Sequence, residues 1–152
     1  MRNTLITALL LAVGTFSLSA QADVETAKAF ARKYAVVAKN INPDFKGFIP
    51  ELGHAFFKRE FTIKGKQVSC SSCHTDNPAN PGKHIVTGKA IKPLSPVVEK
   101  SRFTSVDKVE EKFVEHCNDI LGRDCTALEK GNYIAYLLTV KFDAEGKDTP
   151  TK

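Results

Sequence analysis

The segment "VSCSSCHTDNPAN", residues 68 to 80, constrains this chain most tightly, because it places Cys70, Cys73 and His74 in one short stretch. Three chemistries compete for two cysteines at this spacing. A structural zinc site needs four ligands, commonly two such pairs, and here there is one pair with a histidine directly beside it. A thioredoxin-like redox pair belongs at a strand-to-helix junction in a βαβ context, which this sequence lacks. Covalent haem fits each residue. The two sulfurs reach the two vinyl groups along one porphyrin edge, and His74 is carried beneath the ring, where a nitrogen coordinates iron. One haem c, attached through Cys70 and Cys73 with His74 as proximal iron ligand, is the expected cofactor.

The start of the chain agrees with this. "MRNTLITALLLAVGTFSLSAQA" has a basic residue, an apolar centre and an Ala20-Gln21-Ala22 ending, the pattern of a secretory signal. Thr15, Ser17 and Ser19 interrupt an apolar centre already short for a bilayer, so residues 1–22 are expected to be cleaved after Ala22 and not kept as an anchor. No later run approaches membrane-spanning length, so the mature chain is expected to have no transmembrane segment. Haem of this kind is attached outside the cytoplasm, which makes a periplasmic location the expectation. Removing the single charge of Arg2 from the formal +5 leaves +4, spread over lysines with interleaved acids. Such a surface suits an acidic protein partner and holds no nucleic-acid stripe.

The remaining residues, about 130, match one domain, read as 23–142, followed by a polar tail at 143–152. Val24, Ala27, Ala31, Tyr34, Ala38 and Ile41 recur at helical spacing and predict an amphipathic helix from Asp23 to about Asn40. Pro50 opens a second helix in which Gly53 and Phe57 share one face, a small-then-aromatic pair suited to a close crossing. After a turn at Lys64 to Lys66 and the cysteine motif comes a loop punctuated by Pro78, Pro81, Gly82, Gly88, Pro93 and Pro96, long enough to wrap something. Thr104 with Asp107, and Thr126 with Glu129, read as capping boxes. The first starts a helix through Val106, Val109, Phe113 and Ile120 to Gly122, and the second a helix through Tyr133, Ile134, Leu137 and Leu138 to about Lys141. Weak strand signals make the class all-α.

Cys117 and Cys125 flank "NDILGRD", so a helix ending near Gly122 can double back and bring the sulfurs together as a disulfide. The other side of the iron is harder to assign. Met1 is the only methionine and leaves with the signal, so methionine ligation is excluded in the mature chain. His54, His84, His116 and the lysines remain, with an open site as a further option. His116 falls on the apolar stripe of its helix, after Phe113 and before Ile120, which points it toward the core. Arg102 is a candidate for a haem propionate, and Phe56, Phe57, Phe103, Phe113, Tyr133 and Leu137 are pocket or core residues.

Beyond the motif, "TGKAIKPLSP" at 87–96 and "RFTSVDKVEEKFVEHCNDILGRDCTALEKGNYIAYL" at 102–137 resemble the sphaeroides haem protein family of monohaem cytochromes c, also catalogued as a domain of unknown function. "ELGHAFF" is similar to that family's early haem-packing helix, and the first helix is an addition. The resemblance implies a cytochrome c-like helical domain around one covalent haem, proximal ligation by His74, a Cys117–Cys125 disulfide and a distal side able to release its ligand and bind oxygen or nitric oxide. It also suggests a dihaem cytochrome c as redox partner. In that family an asparagine immediately before the first disulfide cysteine is the distal ligand, and His116 occupies that position here. Bis-histidine iron, His74 with His116, is the resulting expectation, with a reduction potential below that of methionine-ligated relatives. No catalytic grouping stands out, so a one-electron carrier is expected before an enzyme, and an oxygen- or nitric oxide-binding protein is the alternative.

Overall fold

The computed structural model describes residues 19–143; the expected signal segment up to residue 18 and the tail beyond Asp143 lie outside them. The first helix, α1 (Ser19–Ile41), runs without interruption across the expected cleavage position at Ala22. Ala27, Phe30, Tyr34 and Ala38 are buried at intervals that keep them on one stripe, so α1 is held by its apolar face. Asp23 is buried too, and its carboxylate accepts a hydrogen bond of 2.8 Å from the Phe103 N–H.

Pro50 sits at the start of α2 (Pro50–Lys58), where a missing N–H costs nothing. The Gly53–Phe57 face crosses α5 (Ala127–Leu137) so closely that a Cβ on Gly53 would lie 2.0 Å from the Asn132 carbonyl oxygen. The Asn132 side chain accepts from the Ile49 N–H at 2.8 Å and ties the entrance of α2 to the same helix. Phe57, Ile134 and Leu137 are fully buried and form the centre of a core shared by α1, α2 and α5.

The helical class holds, with two short antiparallel ribbons that weak strand signals did not announce. Strands β1 (Phe61–Ile63) and β2 (Lys66–Val68) pair Phe61 with Val68 across a turn in which Lys64 (φ 50°) and Gly65 (φ 76°) are both left-handed. That is the two-residue turn whose twist suits a hairpin. Strands β3 (Gly82–Lys83) and β4 (Ala90–Ile91) form the second ribbon inside the wrapping loop.

Two helix boundaries differ from expectation. The cap of α4 (Val106–Leu121) is Ser105, not Thr104, because Ser105 has the extended backbone (φ −131°, ψ 122°) that lets its hydroxyl accept from the Lys108 N–H. Thr104 donates instead to the Ser101 carbonyl. Gly122 ends α4 in the left-handed region at φ 70°, as the sequence implies. Thr126 and Glu129 form the full capping box of α5, but that helix stops at Leu137, short of Lys141. The Ser95 hydroxyl, fully buried, reaches both the Leu137 and Val140 carbonyls at 3.1 and 2.8 Å, so the loop side chain takes over acceptors at the end of the helix.

Candidate haem site

Cys70, Cys73 and His74 lie on a single helical turn, α3 (Ser71–His74), whose Cys73 and His74 amides both donate to the Cys70 carbonyl. Three residue types in that sequence spacing are thereby brought onto one turn of backbone. Thr75 then turns the chain sharply at φ 61°, a left-handed conformation unusual for a β-branched residue. The wrapping loop closes against this turn: a Cβ on Gly82 would lie 2.2 Å from the Cys73 carbonyl oxygen. Asn77 carries the same segment to the end of the fold by donating to the Lys141 carbonyl at 3.0 Å.

Both thiols are unpaired and partly buried. Burial, the largest influence, pushes the Cys70 thiol up to about 11. Burial likewise pushes His74 down to about 4, with the neighbouring His116 and Arg102 acting in the same direction. His74 is therefore a neutral imidazole, the form with a lone pair to give a metal.

His116 faces it. The two ring centres are 6.3 Å apart and the planes are inclined by 41°. A separation of this size would let both imidazoles hold one metal ion between them. His116 differs from expectation in depth, being exposed and not buried in the core. Its Nδ1 lies 2.9 Å from the Lys112 carbonyl oxygen, which can only accept, so Nδ1 carries a proton and Nε2 is the nitrogen left for a metal. A backbone bond of this kind fixes the tautomer of a metal-binding histidine.

The other candidates are occupied elsewhere. His84 accepts from the Val86 and Thr87 amides through Nδ1, at 3.2 and 3.1 Å, which makes it the cap of a loop turn. The His54 ring lies on Tyr136, with 5.0 Å between centres. Asn118, the asparagine nearest to His116 in the chain, donates to the Val114 carbonyl and to Asp124 and so ties the last turns of α4 to the segment after it. Arg102 donates to the Pro93 and Lys92 carbonyls at 2.9 and 2.5 Å, which commits part of its guanidinium to holding the wrapping loop.

Phe57, Phe103 and the aliphatic Leu137 are core, while Tyr133 is a junction between aromatic side chains. Its ring meets Phe113 at 5.9 Å, Phe57 at 6.3 Å and Phe56 at 6.4 Å, and burial raises its hydroxyl well above the usual range. Cys117 and Cys125 form a disulfide with Cα atoms 5.6 Å apart, directly after His116 in the chain. Asp23, Ser95 and Glu110 are structural residues that sequence reasoning did not single out, because each acts on a partner far away in the chain. Among the described residues no cluster of three or more histidine, cysteine or acidic side chains forms a metal site, which leaves the histidine pair and thiols as the group to be explained.

Two thiols and a neutral imidazole on one turn, faced by a second imidazole inside a small helical fold, define a monohaem c-type cytochrome carrying one covalent haem c. The family described as "Domain of unknown function (DUF1924)" matches residues 43–137, and the chain belongs to it. Cytochrome c'' of Methylophilus methylotrophus is 54% identical over 125 residues, covering 82% of this chain and 87% of that protein. The cytochrome c-type protein SHP of Cereibacter sphaeroides is 41% identical over 88 residues, 57% of this chain and 67% of that one. The solved structure of oxidised cytochrome c'' superposes with a TM-score of 0.75 at 52% identity, covering 78% of this chain and 98% of that chain. Oxidised SHP, described as an oxygen binding cytochrome c, gives 0.64 at 31% identity, covering 73% and 94%. The resemblance read from the sequence is thus correct at the level of family, fold and cofactor.

Proposed function

We propose that Cys70 and Cys73 attach the haem, that His74 and His116 hold its iron from opposite sides, and that the protein is a periplasmic one-electron carrier. The observation that carries this reading is the pair of imidazoles 6.3 Å apart, with His116 Nδ1 turned to the Lys112 carbonyl and not to His74. A bound haem c supplies a one-electron ferric–ferrous couple. The chain's own residues do the rest. Burial keeps His74 neutral and its lone pair available. Two imidazoles in place of an imidazole and a thioether favour the ferric state, which lowers the potential relative to methionine-ligated proteins. Exposed lysines offer a surface for an acidic redox partner, a dihaem cytochrome c being the candidate. Export is supported by the leader pattern, with cleavage after Ala22, and by the disulfide. No helix among the described residues is long and apolar enough to cross a membrane.

The test is spectroscopic. Oxidised and reduced protein should both be low-spin and unchanged by carbon monoxide, and His116→Ala should convert the oxidised form to high-spin. An unchanged low-spin spectrum in His116→Ala would move the ligand role to another residue.

A second reading has its own support. His116 is exposed and its orienting bond is to its own helix, so few contacts resist its withdrawal. A solution structure of cytochrome c'', 49% identical with a TM-score of 0.70, is described as bearing on haem-ligand detachment. In this reading the distal ligand leaves on reduction and oxygen or nitric oxide binds; a high-spin reduced form that takes up carbon monoxide is its signature.

A further inference from the structure

Resting on the ligation just proposed, the question is what keeps His116 opposite His74. Among the described residues its ring hydrogen-bonds to the Lys112 carbonyl, a group of α4 itself, so the ring goes wherever α4 goes. Side chains tie α4 to two other helices one to two turns earlier. Glu110 receives Lys33 of α1 on one oxygen at 3.1 Å and Lys130 of α5 on the other at 3.0 Å. The Lys130 ammonium lies 5.4 Å from the ring centres of both Tyr34 of α1 and Phe113 of α4. Those two rings meet edge to face at 6.1 Å, and Phe113 meets Tyr133 at 5.9 Å. Phe113 is three residues before His116, on the same side of the helix. A shift of Phe113 is therefore carried directly to the imidazole.

We propose that this three-helix knot, Glu110 with Lys33 and Lys130 over Tyr34 and Phe113, is a clamp that fixes how firmly His116 is presented to His74. Lys33, Tyr34 and Glu110 are positioning residues for the distal ligand. The half of the clamp supplied by α1 lies ahead of residues 43–137, the part of the chain that matches the family, so the added helix has a function at the site beyond covering the core. The ionic part is suited to the task. The Lys130 side chain is only 13% exposed, so removing the Glu110 charge leaves a largely buried ammonium without its anion, a strong drive to rearrange.

The experiment measures cyanide affinity of the oxidised holoprotein, which reports the fraction of molecules with His116 withdrawn. Amide hydrogen exchange along α4 is followed in the same variants. Glu110→Gln should raise cyanide affinity about ten-fold and speed exchange in α4, while Lys28→Ala, which breaks an exposed pair with Glu25 on α1, should stay within about two-fold. If Glu110→Gln is not recovered with haem, Lys33→Ala carries the test with an expected rise of about three-fold, since Lys33 is more than half exposed. A lower melting temperature with unchanged cyanide affinity would reduce the knot to ordinary structural support and overturn the proposal. His116→Ala separates the two levels: if that variant leaves cyanide affinity unchanged, the ligation reading fails and the clamp with it; if affinity rises there but not in the clamp variants, the clamp alone fails.

Discussion

Replacing Gly53 by alanine tests the arrangement on which the whole domain is built. The added methyl would sit 2.0 Å from the Asn132 carbonyl oxygen, 2.6 Å from its carbonyl carbon and 2.8 Å from the Tyr136 Cβ. Two of these three atoms belong to helix backbone, so no side chain can swing aside and the helices themselves must part by about 1 Å or more. A gap of that size forfeits about a quarter to a half of each van der Waals contact across it. The seam includes Phe57 against Tyr133 and Tyr136, with ring centres at 6.3 and 5.7 Å. Overpacking of this severity costs about 3 kcal/mol. Alanine returns about 1 kcal/mol through its better helix propensity, leaving a net loss of about 2 kcal/mol. At about 4 °C for each kcal/mol in a domain of this size, Gly53→Ala should melt about 8 °C below the parent. Thermal unfolding followed by circular dichroism on matched haem-loaded samples is the assay. A variant that melts at or above the parent would show that helix propensity outweighs the crossing and that α2 and α5 do not depend on backbone contact.

Other outcomes follow from local features. Thr126→Ala removes one half of the α5 capping box and should cost about 1 kcal/mol in chemical denaturation, with Thr126→Ser close to the parent. Glu129 is held down to about 2, first by its hydrogen bond to Arg123. A carboxyl lowered on folding contributes stability above its unfolded value near 4.5 and loses it as pH falls toward 2. Glu129→Gln should therefore lie below the parent at pH 7, and the gap should narrow across that window in pH-dependent unfolding. Replacing both Cys117 and Cys125 by serine opens a short loop and should cost roughly 2.5 kcal/mol in the chain-entropy account. The same change should increase amide exchange at the C-terminal end of α4, measurable by mass spectrometry.

The parts of the fold readable in the sequence are those fixed by neighbours along the chain. Pro50, Gly122 and the Thr126–Glu129 pair mark helix ends through bonds that span three or four residues, and each stands where local chemistry puts it. Thr104 and Ser105 are adjacent hydroxyls, and only the backbone angles decide which one caps, which explains the one-residue error. The turn at Lys64 to Lys66 was legible, but the β1 and β2 strands beside it escaped notice because they have three residues each, too few to show alternation. For His116, periodicity gives a direction around the helix but not a depth. The stripe placed it toward the interior, while the packing of α4 leaves it at the edge, exposed and still facing His74. Ser95 at the end of α5 and Glu110 between α1 and α5 act over 42 and 77 residues of sequence, distances at which pattern carries no signal.

That division between local and long-range determination bears on the two proposed iron ligands unequally. His74 is placed by its own turn: its amide bonds to Cys70, Thr75 redirects the chain immediately after it, and Gly82 closes against its backbone. Covalent attachment through Cys70 and Cys73 would fix it to the same group that it is proposed to coordinate. His116 has no such local tether. Its position results from contacts that α4 makes with helices distant in sequence, together with a disulfide one residue further on. Perturbations of the fold therefore reach His116 first, through α4, while His74 stays with its turn. Under the proposed ligation, any exchange of ligands at the iron is expected on the His116 side, and the proposed clamp makes the choice between the two proposed functions a question of how tightly three helices grip one another around Glu110.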